Sequence, residues 1–197
     1  MPLRLERVTL TGTYASLVPL SADHAPALAD AARDGELWRL WFTTVPAPDA
    51  IAAEIDRRLS LLNAGAMLPF TVLDGAGTPV GMTTFMNVDA GNGRVEIGST
   101  WYAARVQRTA LNTECKLMLL THAFETLRCI AVELRTHIMN AQSRRAIERL
   151  GAKLDGILRN HMRMPNGTLR DTVVYSIIES EWPTVRANLR WQLDRDR

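Results

Sequence analysis

"RVEIGSTWYAARVQRTALNTECKLMLLTHAFETLRCIAVELRT", residues 94–136, decides the fold class. Its first nine residues alternate, with Val95, Ile97 and Ser99 on one side and Glu96, Gly98 and Thr100 on the other, which predicts a strand. A polar loop follows. An amphipathic helix then starts near Asn112, with Asn112 and Thr113 as caps and Leu117, Leu120, Phe124 and Leu127 as its buried stripe. "CIAVELRT" (129–136) opens as a near-continuous apolar run, which suits a strand in the interior of a sheet. Strand, helix and strand in this order make a crossover unit.

The flanks extend the pattern. Residues 7–20 read as an opening strand region, and Ser21-Ala22-Asp23-His24 starts an alanine-rich helix that Asp34-Gly35 stops near Arg33. An aromatic patch of Trp38, Trp41 and Phe42 precedes a helix opened by Pro48 and Asp49, with Ile51, Ile55, Leu59 and Leu62 on one face. Beyond Gly65 the period drops to two. "LPFTVLD" and "PVGMTTFMNVD" form a hairpin about residues 75–78. After the crossover come a short helix, "NAQSRRAIERLGA" (140–152), and a second hairpin turning at Pro165-Asn166-Gly167. Trp182, Val185, Leu189 and Leu193 recur at helical spacing in the tail. The expected architecture is one α/β domain over residues 1–197, with a core at about 8–180 and a helical tail at 181–197.

A length of 197 residues is enough for one sizeable core, and 47% apolar with 22% charged residues is ordinary for a globular chain. No apolar run reaches the ~20 residues of a membrane helix, and the first residues lack the apolar centre of an export signal. Two cysteines, Cys115 and Cys129, build no disulfide framework and suit a cytoplasmic protein with reduced thiols. Net charge is +2, too small an excess to argue for a nucleic-acid partner. Arg159, His161, Arg163 and Arg170 form a local basic cluster, read as a solvated strand face, with an RNA-binding hairpin as the alternative. His24, His122, His137 and His161 lack metal-ligand spacing, so no metal is expected.

A loop that tips into a helix can bind phosphate, because the first backbone N–H groups are unpaired and sit at the positive end of the helix dipole. Gln107 and Arg108 add side-chain donors. Residues 94–151, and with them most of the chain from about 8 to 180, resemble the GNAT (GCN5-related N-acetyltransferase) superfamily. The family's acetyl-CoA loop, Gln/Arg-x-x-Gly-x-Gly/Ala, is matched by Gln107-Arg108-Thr109-Ala110-Leu111-Asn112, with both small positions altered. "NAQSRRAIERLGA" is similar to the family's Asn-x-x-Ser segment. "EIGSTWY", "NTECKLMLLTHAFE" and "LRDTVVYSI" look closest to the RimJ and RimL branch of ribosomal-protein N-terminal acetyltransferases.

The resemblance implies a GNAT fold, a mixed central sheet with two splayed parallel strands and flanking helices. It implies acetyl-CoA as cosubstrate, held by Gln107, Arg108, Thr109, Ala110, Leu111, Asn112, Thr113, Asn140 and Ser143. The implied reaction is direct attack of a primary amine on the thioester, and the implied acceptor is a protein N-terminus. A small amine (amino acid, polyamine or antibiotic) and a weakly catalytic acyl-CoA-binding protein are the alternatives, and a homodimer is left open. Direct transfer needs a proton acceptor, for which Glu96 is the first candidate and Asp155 and Glu133 are weaker ones. Glu133 also reads as the structural partner of an arginine. The tyrosine that many relatives carry before the glycine of the second helix is Ile147 here, so the resemblance transfers the thiolate contact to Ser143. A covalent acetyl-Cys115 route finds no paired histidine base in the sequence. Trp41, Phe42 and Thr43 are the expected acceptor contacts.

Overall fold

The computed structural model describes residues 4–195, so the single-domain expectation reaches outside the described residues at 1–3 and 196–197. Eight strands follow from the period-two segments: β1 (Leu10–Thr11), β2 (Ala15–Pro19), β3 (Met67–Asp74), β4 (Pro79–Asp89), β5 (Arg94–Tyr102), β6 (Ala131–His137), β7 (Lys153–Arg163) and β8 (Leu169–Ile178). They form one sheet in the order β1-β2-β3-β4-β5-β6-β8-β7. Every neighbouring pair is antiparallel except β5 and β6, which are parallel and joined through α3 (Ala110–Thr121). The other helices are α1 (Ala25–Arg33), α2 (Ile51–Asn63), α4 (Ala141–Arg149) and α5 (Trp182–Asp194). This is the α/β architecture of a mixed sheet with flanking helices, and β6 lies inside it as its apolar start predicts.

Two consecutive threonines of β4 show that α2 and α3 cover opposite faces. Thr84 Oγ1 accepts from Arg58 of α2, whereas Thr83 Oγ1 bonds to Thr100, whose hydroxyl in turn accepts a hydrogen bond from Lys116 of α3. Adjacent strand residues point to opposite faces. Leu17, Phe70, Phe85, Leu119, Leu120 and Tyr175 are among the fully buried side chains between these layers. Each removes enough apolar surface from water to contribute roughly 1.5–3 kcal/mol. Helix α5 docks on α3, with Trp182 stacked on Phe124 at 5.3 Å.

Three local expectations are corrected. Helix α3 begins at Ala110 rather than near Asn112, and Thr109 is its cap, accepting from the Leu111 N–H at 3.3 Å. Its buried stripe is Leu111, Cys115, Leu119 and Leu120, continued by Ala123 and Phe124 in the π-helical turn His122–Thr126, while Leu117 is only half-buried. The strand alternation breaks at Ser99, because Ser99 and Thr100 together oppose Thr83 in a bulge with Ser99 at φ +49°. Thr100 therefore joins Ile97 on the α3 face instead of pairing with Glu96 and Gly98.

A buried carboxylate fixes α3 against the start of the sheet. Glu114 Oε1 accepts from the Thr13 N–H at 2.8 Å, and Oε2 accepts from Tyr14 at 2.6 Å and Ala15 at 2.8 Å. Gly12 leaves room for it, since a Cβ there would overlap the Glu114 carboxylate.

Candidate active site

Strands β5 and β6 pair only over Arg94–Glu96 and Ala131–Glu133. Beyond that point β5 continues to Tyr102 along β4, and β6 continues to His137 along β8. Each strand thus keeps one unpaired backbone edge, and the two edges diverge around an opening that an extended amide chain can line by hydrogen bonding. The bulge at Ser99 bends β5 away from β6. Arg58, 3% exposed, holds it from α2: it donates to Glu54 at 2.7 Å and Thr84 Oγ1 at 2.9 Å, and reaches the Ser99 carbonyl at 3.4 Å. Burial opposes the Arg58 charge and the Glu54 carboxylate offsets it.

Glu96 stands at the apex of the opening, in the last β5–β6 pair, and is 6% exposed. Its Oε2 accepts from Asn87 Nδ2 at 2.7 Å and lies 3.4 Å from Arg135 Nε. Burial raises its pKa above the ordinary carboxylate value, and Asn87 and Arg135 partly oppose that rise. Glu133 is tied to both Arg94 and Arg135 at 2.7 Å, a structural pairing that also lowers its pKa against the burial penalty. Asp155 accepts from the Ser176 hydroxyl on β8.

Arg135 and His137 share the Glu96 face. His137 is 3% exposed, its Nδ1 accepts from the Met139 N–H at 3.1 Å, and its Nε2 has no partner among the described residues. That bond assigns the neutral Nε2–H tautomer. The rings of Trp41 and Phe42 meet His137 edge-on, with centroids at 5.2 and 6.5 Å. Trp41 is 47% exposed and belongs to a loop. Thr43 spends its hydroxyl on the Leu37 and Leu40 carbonyls, so it shapes that loop. A cavity of about 360 Å³ lies beside it, lined by Trp38, Trp41, Thr43, Thr44, Pro165 and Asn166.

The mouth of the opening is the first turn of α3. Among the described residues, the Leu111 N–H of that turn is taken by Thr109 Oγ1, and the other first-turn N–H groups find no partner within the helix. Gln107 donates to the Tyr102 carbonyl at 2.9 Å and so braces the loop, while Arg108 is exposed. The left-handed residue is Arg108, at φ +60°, whereas Asn112 is helical. Ala110 is buried, and Thr113 is fully buried against Arg149 of α4. Unpartnered backbone N–H groups at a helix start, with the exposed Arg108 just before them, are chemically suited to an anion. At the start of α4, Asn140 Oδ1 accepts from the Ser143 N–H at 3.0 Å, leaving the Asn140 amide and the half-buried Ser143 hydroxyl available. Ile147 is 7% exposed and apolar.

Cys115 lies past the first turn, completely buried, and burial pushes its thiol up to about 12. It is not an activated nucleophile. The basic hairpin residues are largely engaged, Arg159 with Asp171 at 2.6 Å and both His161 and Arg170 with Thr172. Among the described residues there is no cluster of metal ligands and no helix long and apolar enough to cross a membrane. Sequence reasoning missed Arg58, Lys116, Arg135 and His137. For Lys116 a signal existed, because it precedes the buried Leu119 and Leu120 by three and four residues.

The model of the Acetyltransferase (GNAT) domain matches residues 16–153. The chain is 31% identical to a GCN5-related N-acetyltransferase from Brucella melitensis, with TM-score 0.84 over 96% of this chain and 87% of that one. It is 32% identical to a T. thermophilus protein assigned as an acetyltransferase, with TM-score 0.83 over 96% and 98% of the two chains. Mycobacterium smegmatis RimJ, solved with CoA-disulfide, shares the fold at 21% identity and TM-score 0.77, over 98% of this chain and 93% of that one. No curated protein gives a significant match. A family model covering most of the chain and two structural matches above 30% identity converge, and the chain belongs to the GNAT acetyltransferase family.

Proposed function

We propose that this acetyltransferase moves the acetyl group of acetyl-CoA onto a primary amine by direct attack, with a protein N-terminus of the ribosomal-protein type as acceptor. The observation that carries the reading is the opening between β5 and β6, with the first turn of α3 at its mouth and buried Glu96 at its apex. Acetyl-CoA supplies the activated thioester. The N–H groups of the α3 first turn, with Arg108, hold the pyrophosphate, and Gln107, Thr109 and buried Ala110 set the shape of that cradle. Asn140 and Ser143 contact the pantetheine arm. The free edges of β5 and β6 orient it.

Glu96 takes the proton of the incoming ammonium through water. Its burial places its pKa closer to neutrality than an exposed carboxylate, which favours that role. Trp41 and Phe42 frame the acceptor entrance on the same face. The acceptor class rests on the motif resemblance to the RimJ and RimL branch. The cavity of about 360 Å³ at Trp41 falls in the range of small-ligand pockets and favours a small amine as the second reading.

The test is a competition. Acetyl-CoA is offered with a peptide panel bearing free N-termini and a panel of small amines, and products are identified by mass spectrometry. Acetylation confined to peptide α-amines is the expected result. Turnover of small amines alone would replace the acceptor class and leave the acetyl transfer intact.

A further inference from the structure

Helix α3 carries a lysine into the interior. Lys116 is 6% exposed, and its Nζ donates to Thr100 Oγ1 at 3.1 Å. An ammonium has three donors, and this is its one hydrogen bond among the described residues. No carboxylate pairs with it there. Glu114, two residues away, spends both oxygens on the backbone N–H groups of Thr13, Tyr14 and Ala15. A buried cation without a counter-ion is costly, and a leucine or methionine would fill the space without that cost.

The one partner shows where the charge is aimed. Thr100 lies on the stretch of β5 that has left β6, as the second residue of the bulge, with its Oγ1 2.8 Å from Thr83 Oγ1 and 3.4 Å from the Gly98 carbonyl. Lys116 is thus fixed to the wall of the opening from the α3 side. Glu96, His137 and Trp41 occupy the other face. An amine that attacks the thioester carbonyl from the Glu96 face forms a tetrahedral adduct, and its collapse leaves negative charge on a sulfur held in the opening, whose other side faces α3 and α4. On that side Ile147 offers no donor, and the Ser143 hydroxyl of α4 offers only a neutral one.

We infer that Lys116 supplies the positive charge that stabilises the departing CoA thiolate, from the face of the sheet opposite Glu96. The inference rests on the acetyl transfer proposed above. The amine nitrogen bonds to the carbonyl carbon, the C–S bond breaks, and its electron pair leaves on sulfur beside the Lys116 ammonium. The nitrogen's proton goes through water to Glu96, the sulfur later takes a proton from solvent, and Lys116 keeps its own. Preorganised charge of this kind acts strongly in a water-poor site.

The titration of the cluster is compatible with this role. Burial pushes the Lys116 ammonium down to about 8, so it is charged at neutral pH. Around it, Cys115 is pushed up to about 12 and the Tyr102 phenol well above its ordinary value, while Thr83 and Thr100 do not titrate. Glu114 on the same helix remains bound to the backbone.

The experiment measures the thiol of bound CoA by its thiolate absorbance across pH, in wild type, Lys116→Met and Lys116→Arg, alongside the affinity of desulfo-CoA. In wild type the bound thiol should ionise about one pH unit or more below free CoA, a tenfold gain in thiolate. Lys116→Met should return it to the free value, Lys116→Arg should keep part of the shift, and desulfo-CoA affinity should stay within about twofold. A wild-type thiol that ionises at or above the free value overturns the inference, whatever the variants do. So does an equal shift in Lys116→Met, or a Lys116→Met loss confined to desulfo-CoA affinity. Failure of wild type to bind either CoA would remove the acetyl-transfer proposal as well.

Discussion

Replacement of Glu114 is the sharpest structural test, because one side chain there satisfies three backbone donors and ties α3 to the first hairpin. Glu114→Gln keeps a single acceptor oxygen and turns an amide NH₂ toward an N–H that now lacks an acceptor. Hydrogen bonds to an ionised group contribute about 1.5–3 kcal/mol each, and an unsatisfied buried donor costs about 1–3 kcal/mol. One bond is lost outright and two lose their charge assistance, so the expected destabilisation is ~3 kcal/mol. For a domain of this size each kcal/mol moves Tm by roughly 2–4 °C, giving a fall of ~6–12 °C. Thermal and urea unfolding measure the loss, and amide exchange locates it, with Thr13, Tyr14 and Ala15 losing protection before the core of β3 and β4. A loss below ~1 kcal/mol, or unchanged exchange at those three amides, would show that Glu114 does not anchor α3.

Glu96→Gln should lower the rate at neutral pH with little change in acetyl-CoA affinity. The wild-type acid limb should lie above the ordinary carboxylate range and vanish in the variant, and an unchanged pH–rate profile would exclude Glu96 as base. Asn140→Ala removes both the cap on Ser143 and the free amide at the start of α4. It should weaken CoA binding in calorimetry and cost ~1 kcal/mol of stability. Lys116 has a folded value of about 8 against an ordinary 10.5, so between these pH values the unfolded chain holds a proton that the folded chain has released. Stability relative to Lys116→Met should therefore rise with pH through that window and be flat below about 8. A difference that falls with pH would contradict the buried-cation assignment.

Most of the architecture was legible because periods of two and 3.6 alternate cleanly along the chain. The hairpin at Pro165-Asn166-Gly167 and the crossover around 94–136 could be read residue by residue. What escaped depended on contacts distant in sequence. Alternation assigns Thr100 to the Glu96 face, but the Ser99 bulge reverses it, and that bulge is held by Arg58, some forty residues earlier. Asn112 resembles a cap, yet Thr109 takes the role because the loop closes one turn sooner, with Arg108 rather than Asn112 in the left-handed region. Gln107, Arg108 and Thr109 lead into the first turn of α3, and Asn140 and Ser143 open α4. Arg135 and His137 were invisible as site residues, since only the divergence of β5 and β6 turns them toward Glu96 and Trp41.

The central claim is acetyl transfer from CoA to an amine without a covalent enzyme intermediate, and thiol release from acetyl-CoA followed with and without an amine tests it most directly. Free thiol should appear only with the amine, in step with acetylated product, and Cys115 should remain unmodified in the intact mass. Tight CoA binding with no amine-dependent thiol release, or an acetyl group lodged on the enzyme before the amine is added, would contradict it.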